Sequence, residues 1–325
     1  MSLVVAALIA IVWIWLGPAL RELTGLDGDG PSSRGDALRV VSWNLANFEG
    51  DASGHDLERI REVIAALDPD VLALQEIKDP EALAALLGGS PSDVSSVWEL
   101  QVTEHGGRGR QKLAIAWRRD RIELLETEEH TQLTIDGRVR PGFSAYLRGR
   151  EGGPDFWLVV VHLKAMPSGI EIRREQWPLL AEIAEQAPRG DSPGAGDRDL
   201  MIVGDFNTTG PATVPAKAGP AIEQHELGKI LGPVGLRRLS NATGCSAYWD
   251  GRRRDAWKVS SEIDLVWIRE LKESLAADAE VHSGTHCAAS RCEEFRSTEA
   301  YPVRDYKSIS DHCPVVVDLV RADDD

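Results

Sequence analysis

The feature that most restricts the fold is a series of short apolar runs that are continuous and not alternating. They are RVVSW (39–43), VLALQ (71–75), LAIAW (113–117), FWLVVV (156–161), LMIVG (200–204), IDLVWI (263–268) and PVVVDL (314–319). A strand with one wet face alternates apolar and polar residues, whereas a strand covered on both faces reads as an unbroken apolar stretch. Segments of helical period fall between the runs. In DLERIREVIAAL (56–67), Leu57, Ile60, Ile64 and Leu67 share one face. IRREQWPLLAEIAEQ (172–186) is a second helix, expected to be interrupted at Pro178. Doubly covered strands alternating with helices give an α/β class built as a layered sandwich.

Polar residues capable of chemistry stand where those runs end. Asn44 follows the first run and Glu76 the second; His162 follows WLVVV; Asp205 and Asn207 follow LMIVG. Asp264 lies inside IDLVWI, and Asp311 with His312 stands just before PVVVDL. Each alone reads as a turn or structural residue. Together they place histidines, carboxylates and amides at strand ends, where a rigid sheet aims side chains into one cleft. Such a set serves phosphate-ester hydrolysis. Glu76 offers hard anionic oxygen to Mg²⁺ or Mn²⁺. Asn44 and Asn207 donate to phosphate oxygens, or orient a metal's water, without adding negative charge. A histidine exchanges a proton near neutral pH, and a carboxylate bonded to it fixes its tautomer and favours the protonated ring.

Taken in order, the strings SWNL, LALQEIKD, VVVHLKA, IVGDFNTT, EIDLVWI and SISDHCPVVV resemble the endonuclease/exonuclease/phosphatase superfamily, with GDFN, SDH and QE as its most recognisable signatures. The resemblance spans residues 38–320. It implies a two-sheet α/β sandwich of the deoxyribonuclease-I-like type, with the active site at one edge of the sheets. It also implies roles. Glu76 would bind the divalent metal, with Asn44 beside it and Asp311 near the metal or the phosphate. Asp205 and Asn207 would position the attacking water and the phosphate, Asp264 would hold His312, and His162 would be a second catalytic histidine. Lys78 falls where such nucleases place a basic residue near the phosphate backbone, and Arg140, ahead of a strand, is read with it as substrate-binding. Water would attack phosphorus in line, without a covalent enzyme intermediate.

Departures narrow the reading. Ala46 stands where abasic-site endonucleases carry an acid, and His162 stands where they carry a tyrosine. EIDLVWI lacks the WxDR-type signature of inositol-polyphosphate phosphatases. Deoxyribonuclease-I-like enzymes orient the second histidine with a glutamate; Gln111 is closest to that position, which leaves the partner of His162 open.

The net charge of −16 argues against tight non-specific binding of polyanions, yet a divalent metal supplies positive charge where a phosphate sits. Cations flank expected strand ends: Arg108, Arg110 and Lys112; Arg138 with Arg140; Arg173 and Arg174 on the second helix; Arg252 to Arg254. They read equally as polyanion contacts and as solvated faces. From Leu3 to Leu20 no residue is charged, and as a helix that run would be about 27 Å long, enough to cross a bilayer. Residues 1–20 are therefore expected to be a membrane anchor or signal segment, 21–37 a flexible linker, 38–320 the catalytic domain and 321–325 an acidic tail. The cysteines Cys245, Cys287, Cys292 and Cys313 allow two disulfides, a short Cys287–Cys292 loop or a buried free Cys313 thiol, with zinc beside His286 the weakest reading. They lean towards an oxidising compartment and an extracytoplasmic catalytic domain.

The function expected from these features is divalent-metal-dependent phosphodiester hydrolysis, with DNA as substrate, by a monomer attached to the membrane or exported. A phospholipid or sphingomyelin phosphodiesterase is the alternative. A catalytically silent binding module comes third, because no histidine or metal carboxylate of the set is missing.

Overall fold

A computed structural model of the chain describes residues 37–88, 97–187, 193–215, 217–249, 256–271, 275 and 279–319. The segment 1–20, the linker up to residue 36, the tail 321–325 and the run Arg252 to Arg254 lie outside the described residues. Among the described residues no helix is long and apolar enough to cross a membrane.

The first sheet is built around β1 (Leu38–Phe48), which pairs in parallel with β2 (Val71–Ile77). Beyond β2 lie β4 (Lys112–Arg118) and, at the edge, β3 (Trp98–Val102). The second sheet places β5 (Ile122–His130), β6 (Gly142–Gly149), β7 (Asp155–His162) and β8 (Leu200–Asp205) side by side, with β7 and β8 parallel. It continues through β12 (Asp264–Arg269) to the short β9 (Arg237–Arg238). A small sheet is formed by β10 (Ala247–Trp249), β11 (Trp257–Ser261) and β14 (Phe295–Arg296). The other side of β1 is covered by β15 (Val315–Leu319), the last strand, with β13 (His282–Ser283) outside it.

The unbroken apolar runs follow from four layers. Val40, Ala73 and Ile115 of the first sheet meet Val160, Val203 and Val266 of the second in a shared core. On the outer side of the first sheet, Val41, Trp43 and Leu72 pack against Ile60 and Ile64 of α1 (Leu57–Leu67) and Leu83 of α2 (Pro80–Leu86). On the outer side of the second, Val159 and Ile202 meet Trp177 and Leu180 of α3 (Ile170–Gln186) and Leu227 of α4 (Gly219–Leu231). The chain is thus a mixed α/β sandwich with two six-stranded sheets, as expected for the deoxyribonuclease-I-like type. Two short helices, α5 (Thr285–Ala289) and α6 (Arg304–Ser308), lie in the chain between β13 and β15.

Two expectations are corrected. Pro178 does not interrupt the second helix, which runs unbroken to Gln186. Its ring is exposed while Trp177, Leu180 and Ile183 are buried on the other face, so the lost backbone bond falls on the wet side and packing offsets its cost. The cysteines form Cys245–Cys292 and Cys287–Cys313, which excludes the short Cys287–Cys292 loop, the free Cys313 thiol and thiolate zinc ligands. The Cys292 N–H does bond the Cys287 carbonyl at 3.1 Å, but the two sulfurs find partners on other segments.

Candidate active site

The parallel and antiparallel registers bring the chemical residues to one pole of the sandwich. His162 ends β7 beside Asp205, which ends β8, and Asp205 faces Asp264, the first residue of β12. In the other sheet, Asn44 lies near the end of β1. Glu76 sits at an irregularity where the pairing of β2 shifts on both sides, and its φ of 64 places it in the left-handed region. A non-glycine residue held there at a bulge costs energy, and such bulges re-aim side chains beside active sites. The two sheets meet here through one amide: Asn44 Nδ2 donates to Glu76 Oε1 and to Asp205 Oδ2, each at 3.2 Å.

His312 forms a dyad with Asp264. Its Nδ1 lies 2.9 Å from Asp264 Oδ2, and its Nε2 lies 3.8 Å from Asp205 Oδ2. Burial disfavours the charged ring, but Asp264 and Asp205 outweigh it and hold His312 well above the usual imidazole value. Asp205 is also buried, and burial pushes it up to about 7, with Asp264 and Glu76 adding to the shift against the pull of His312. The Asn207 N–H donates to Asp205 Oδ1 at 2.8 Å, and Asn207, at φ 51, donates through Nδ2 to the Leu163 carbonyl. One carboxylate near neutrality and one protonated imidazole face each other across the cleft. That pair can exchange a proton with a reacting water and phosphate.

His162 differs from His312. Its Nε2 lies 3.3 Å from Asp205 Oδ2 and 3.7 Å from Glu76 Oε1, and it accepts from Arg140 Nη2. Those spacings would suit ion pairs, but burial, then Arg140, His312 and Lys164, push His162 well below the usual value, so the ring is neutral. With Nε2 accepting, the proton sits on Nδ1, which is buried without a hydrogen-bond partner. Gln111 is not the partner of this histidine; it donates to Asn47 Oδ1 at 2.8 Å. Arg140 is buried and carries its charge beside Glu76 and Asp205.

The remaining expected residues lie at the rim. Lys78 pairs with Glu49 at 3.3 Å and lines a cleft of ≈ 620 Å³ with Arg110 and Lys112. Asp311 is half-buried next to His312, adds to its positive shift, and accepts from the Tyr248 N–H through its backbone oxygen. Arg173 is neither a polyanion contact nor a solvated cation. It is fully buried against Glu223, with Nη2 2.8 Å from Glu223 Oε2, and Nη1 donates to the carbonyls of Lys164 and Met166. Glu223 in turn accepts from the Gly210 N–H, and Gly219 approaches so closely that a Cβ there would lie 2.2 Å from the Thr209 carbonyl. This brace joins the loop after His162 to the loop after Asn207.

Three residues escaped sequence reasoning. Ser246 donates to Asp264 Oδ2 at 2.7 Å and accepts from the Asp264 N–H at 2.9 Å. Ser310 donates to the Asn44 carbonyl and accepts from the His312 N–H. Lys164 stands half-buried at the rim, with no carboxylate in ion-pair range among the described residues. Burial, then Arg140 and Arg173, lower its pKa. Serines carry no sequence signal for such roles; Lys164 had one, standing two positions after a strand-end histidine.

The donor set fits a hard divalent cation. Glu76 and Asp205 present carboxylate oxygens that converge on one amide, and Asp205 lacks a fixed counter-ion sufficient to keep it ionised against burial. Ligand atoms of Asp205, Asp264 and His312 also lie within 4.8 Å of one another, but Asp264 and His312 Nδ1 are committed to their dyad. Glu76, Asn44 and Asp205 are therefore the side that would hold the ion.

A family model described as the Endonuclease/Exonuclease/phosphatase family matches residues 41–312. No curated protein matches the sequence. Among solved structures, D. rerio TDP2 complexed with single-strand DNA product superposes with a TM-score of 0.60 at 14% identity, over 87% of this chain and 98% of that one. Mannosyl-6-phosphatase from Bacteroides thetaiotaomicron gives 0.56 at 20% identity, over 87% and 99%. The human Nocturnin catalytic domain with bound sulfate gives 0.54 at 20% identity, over 88% and 95%. At these identities the likeness is one of fold.

Proposed function

From the membership of this chain in the endonuclease/exonuclease/phosphatase family, whose members are hydrolytic phosphoesterases typically using divalent metals, we propose that it is a deoxyribonuclease-like endonuclease acting on DNA with Mg²⁺ or Mn²⁺. The observation that carries the reading is the His312–Asp264 dyad, bonded at 2.9 Å, with His312 Nε2 3.8 Å from the buried Asp205 carboxylate, in a cleft that also holds Arg140 and Lys164. Asp205 accepts a proton from the attacking water, which Asn207 helps to orient. His312, its charge supported by Asp264, donates to a phosphate oxygen as charge develops. The neutral His162 and the fixed Arg140 cation bind the opposite side of the phosphate, and Lys164 and Lys78 receive flanking phosphates. A divalent ion on Glu76, Asn44 and Asp205, with Asp311 nearby, would supply Lewis-acid stabilisation of that charge.

A polar polyanion suits the cleft better than a lipid. Among the described residues the large exposed apolar side chains are Val97, Met166, Ile222, Trp257 and Tyr301, no two of them adjacent in sequence, so no exposed apolar run forms an insert. The two disulfides and the apolar run at 3–20 support export or membrane attachment with the catalytic domain outside the cytoplasm.

The test is plasmid nicking and sphingomyelin cleavage by the full chain, side by side, with Mg²⁺ or Mn²⁺ and with His312→Ala as control. Metal-dependent nicking lost in the variant is expected; sphingomyelin cleavage without nicking would replace the nuclease reading with the lipid one.

A further inference from the structure

The region that holds His312 and Asp264 in place has little regular structure of its own. Its strands β10, β13 and β14 are two or three residues long, and α5 and α6 are five each. Elements so short are not stable by pairing alone. What ties them is covalent. Cys245, Cys287 and Cys313 are buried in one cluster with Tyr248, against which Cys292, Phe295 and Tyr306 pack.

Both crosslinks abut the dyad. Cys245 precedes Ser246, whose hydroxyl is bonded to Asp264 as donor and as acceptor, and which also accepts from the Ile263 N–H at 3.1 Å. Cys313 follows His312, and its N–H donates to the Ser246 carbonyl at 2.7 Å. Ala247 bridges to His312, and the Tyr248 N–H donates to the Asp311 carbonyl. The segment bearing Ser246, just before β10, and the segment bearing His312, ahead of β15, therefore lie side by side, each pinned by a different disulfide, and His312 reaches Asp264 beside them.

We infer that Cys245–Cys292 and Cys287–Cys313 are positioning elements for the His312–Asp264 dyad, so that hydrolysis by this chain is conditional on oxidised cysteines. The inference rests on the role given to His312 above. Cys292 is half-buried and the other three are buried, so a dithiol attacks the Cys292 sulfur first. The Cys292 sulfur joins the reagent, and Cys245 leaves as thiolate and takes a proton. The second reagent thiol then displaces Cys292. The protein bond gains two electrons and two protons to become two thiols, and the dithiol becomes its cyclic disulfide. Ser246 is then no longer anchored, and once the loosened cluster admits the reagent to the buried Cys287–Cys313 bond, the same exchange there releases His312.

The experiment uses the full chain, oxidised or treated with dithiothreitol, beside the double variants C245A/C292A and C287A/C313A. Three quantities are read: far-UV circular dichroism, kcat and KM on bis(p-nitrophenyl) phosphate with Mn²⁺, and the downfield proton resonance of His312 Nδ1–H bonded to Asp264, assigned by its loss in His312→Gln. With the sheets intact, kcat is expected to fall about 100-fold, the cost of an ångström-scale displacement, with KM little changed. The resonance should disappear with it, and reoxidation of the wild type should restore both. A reduced chain of native dichroism that keeps the resonance overturns the inference. If the oxidised chain has no His312-dependent activity, the functional reading fails, and the resonance alone still decides whether the disulfides hold the dyad.

Discussion

The strands β1 and β2 carry charge at both of their poles, and the two poles settle it differently. At the pole where β1 begins, the Arg39 N–H donates to Asp70 Oδ2 at 2.7 Å, and its guanidinium donates twice to Asp318 and once to the Leu67 carbonyl. Arg121 donates to the other oxygen of Asp70 at 2.9 Å, while Arg118 pairs with Asp68 and Asp120. Each of these carboxylates is paired with a cation, Asp68 and Asp120 sharing Arg118. At the pole where these strands end, Glu76, Asp205 and Asp264 converge on two histidines of opposite protonation and one buried arginine. Asp205 is driven up towards neutrality, and His162 Nδ1 and Arg140 Nε stay buried without a hydrogen-bond partner. Buried donors without a partner, set beside carboxylates whose charge burial opposes, are groups that a substrate or ion can complete.

Substitutions at the two poles should separate activity from stability. His312→Ala is expected to lower kcat on the order of 10³-fold while the melting temperature stays within a few degrees. It should also remove the alkaline fall in rate, which in the wild type follows loss of the His312 proton above the usual imidazole range. Asp70→Ala at the paired pole leaves Arg121 and the Arg39 N–H without their acceptor and should cost about 3 kcal/mol by denaturant unfolding, with kcat per folded molecule unchanged. Asp205→Asn reverses the usual sense of a core substitution. A carboxyl raised on folding stabilises most below its unfolded value of 3.8 and loses that contribution as pH rises towards about 7. In chelator at pH 8, the inactive Asn variant should therefore melt roughly 5 °C higher than wild type, and a melt showing no gain would contradict the buried charge. Lys164→Met should raise KM for DNA about tenfold at low salt, with the difference shrinking as salt is added. Smallest of all, Arg174→Ala breaks the partly exposed pair with Glu226 and should shift unfolding by about 0.5 kcal/mol or less.

The parts of the fold legible in sequence were those with one dominant cause. Doubly covered strands such as β7 and β8 announce themselves as unbroken apolar runs, and Asp56 caps α1 where the helical period starts. The edge strand β5, IELLETEEH, was missed because four glutamates interrupt its apolar positions, of which Ile122 is buried and Leu124 and Leu125 are only partly covered. β6, GFSAYLRG, was missed although largely buried, since glycine, serine and arginine interrupt the run. In the site, every expected strand-end residue is brought to one pole. Arg173 was misread because a lone arginine on a helix carries no sign of the buried Glu223 that waits on another. The disulfide pairing was closed to spacing arguments, since it depends on the direction in which α5 points Cys287.

Leu38, which begins β1, lies opposite Leu319, which ends β15. Both exits from the sandwich are thus at the paired pole, while Asn44 and His312 mark the other end of the same two neighbouring strands. At about 3.3 Å per residue, the exits and the cleft are separated by roughly 20 Å of sheet. A tag, partner domain or surface attachment made directly at Leu38 or Leu319 would start from the side of the sandwich away from the cleft. A support fixed at those two residues would have the length of the sheet between itself and whatever enters the cleft.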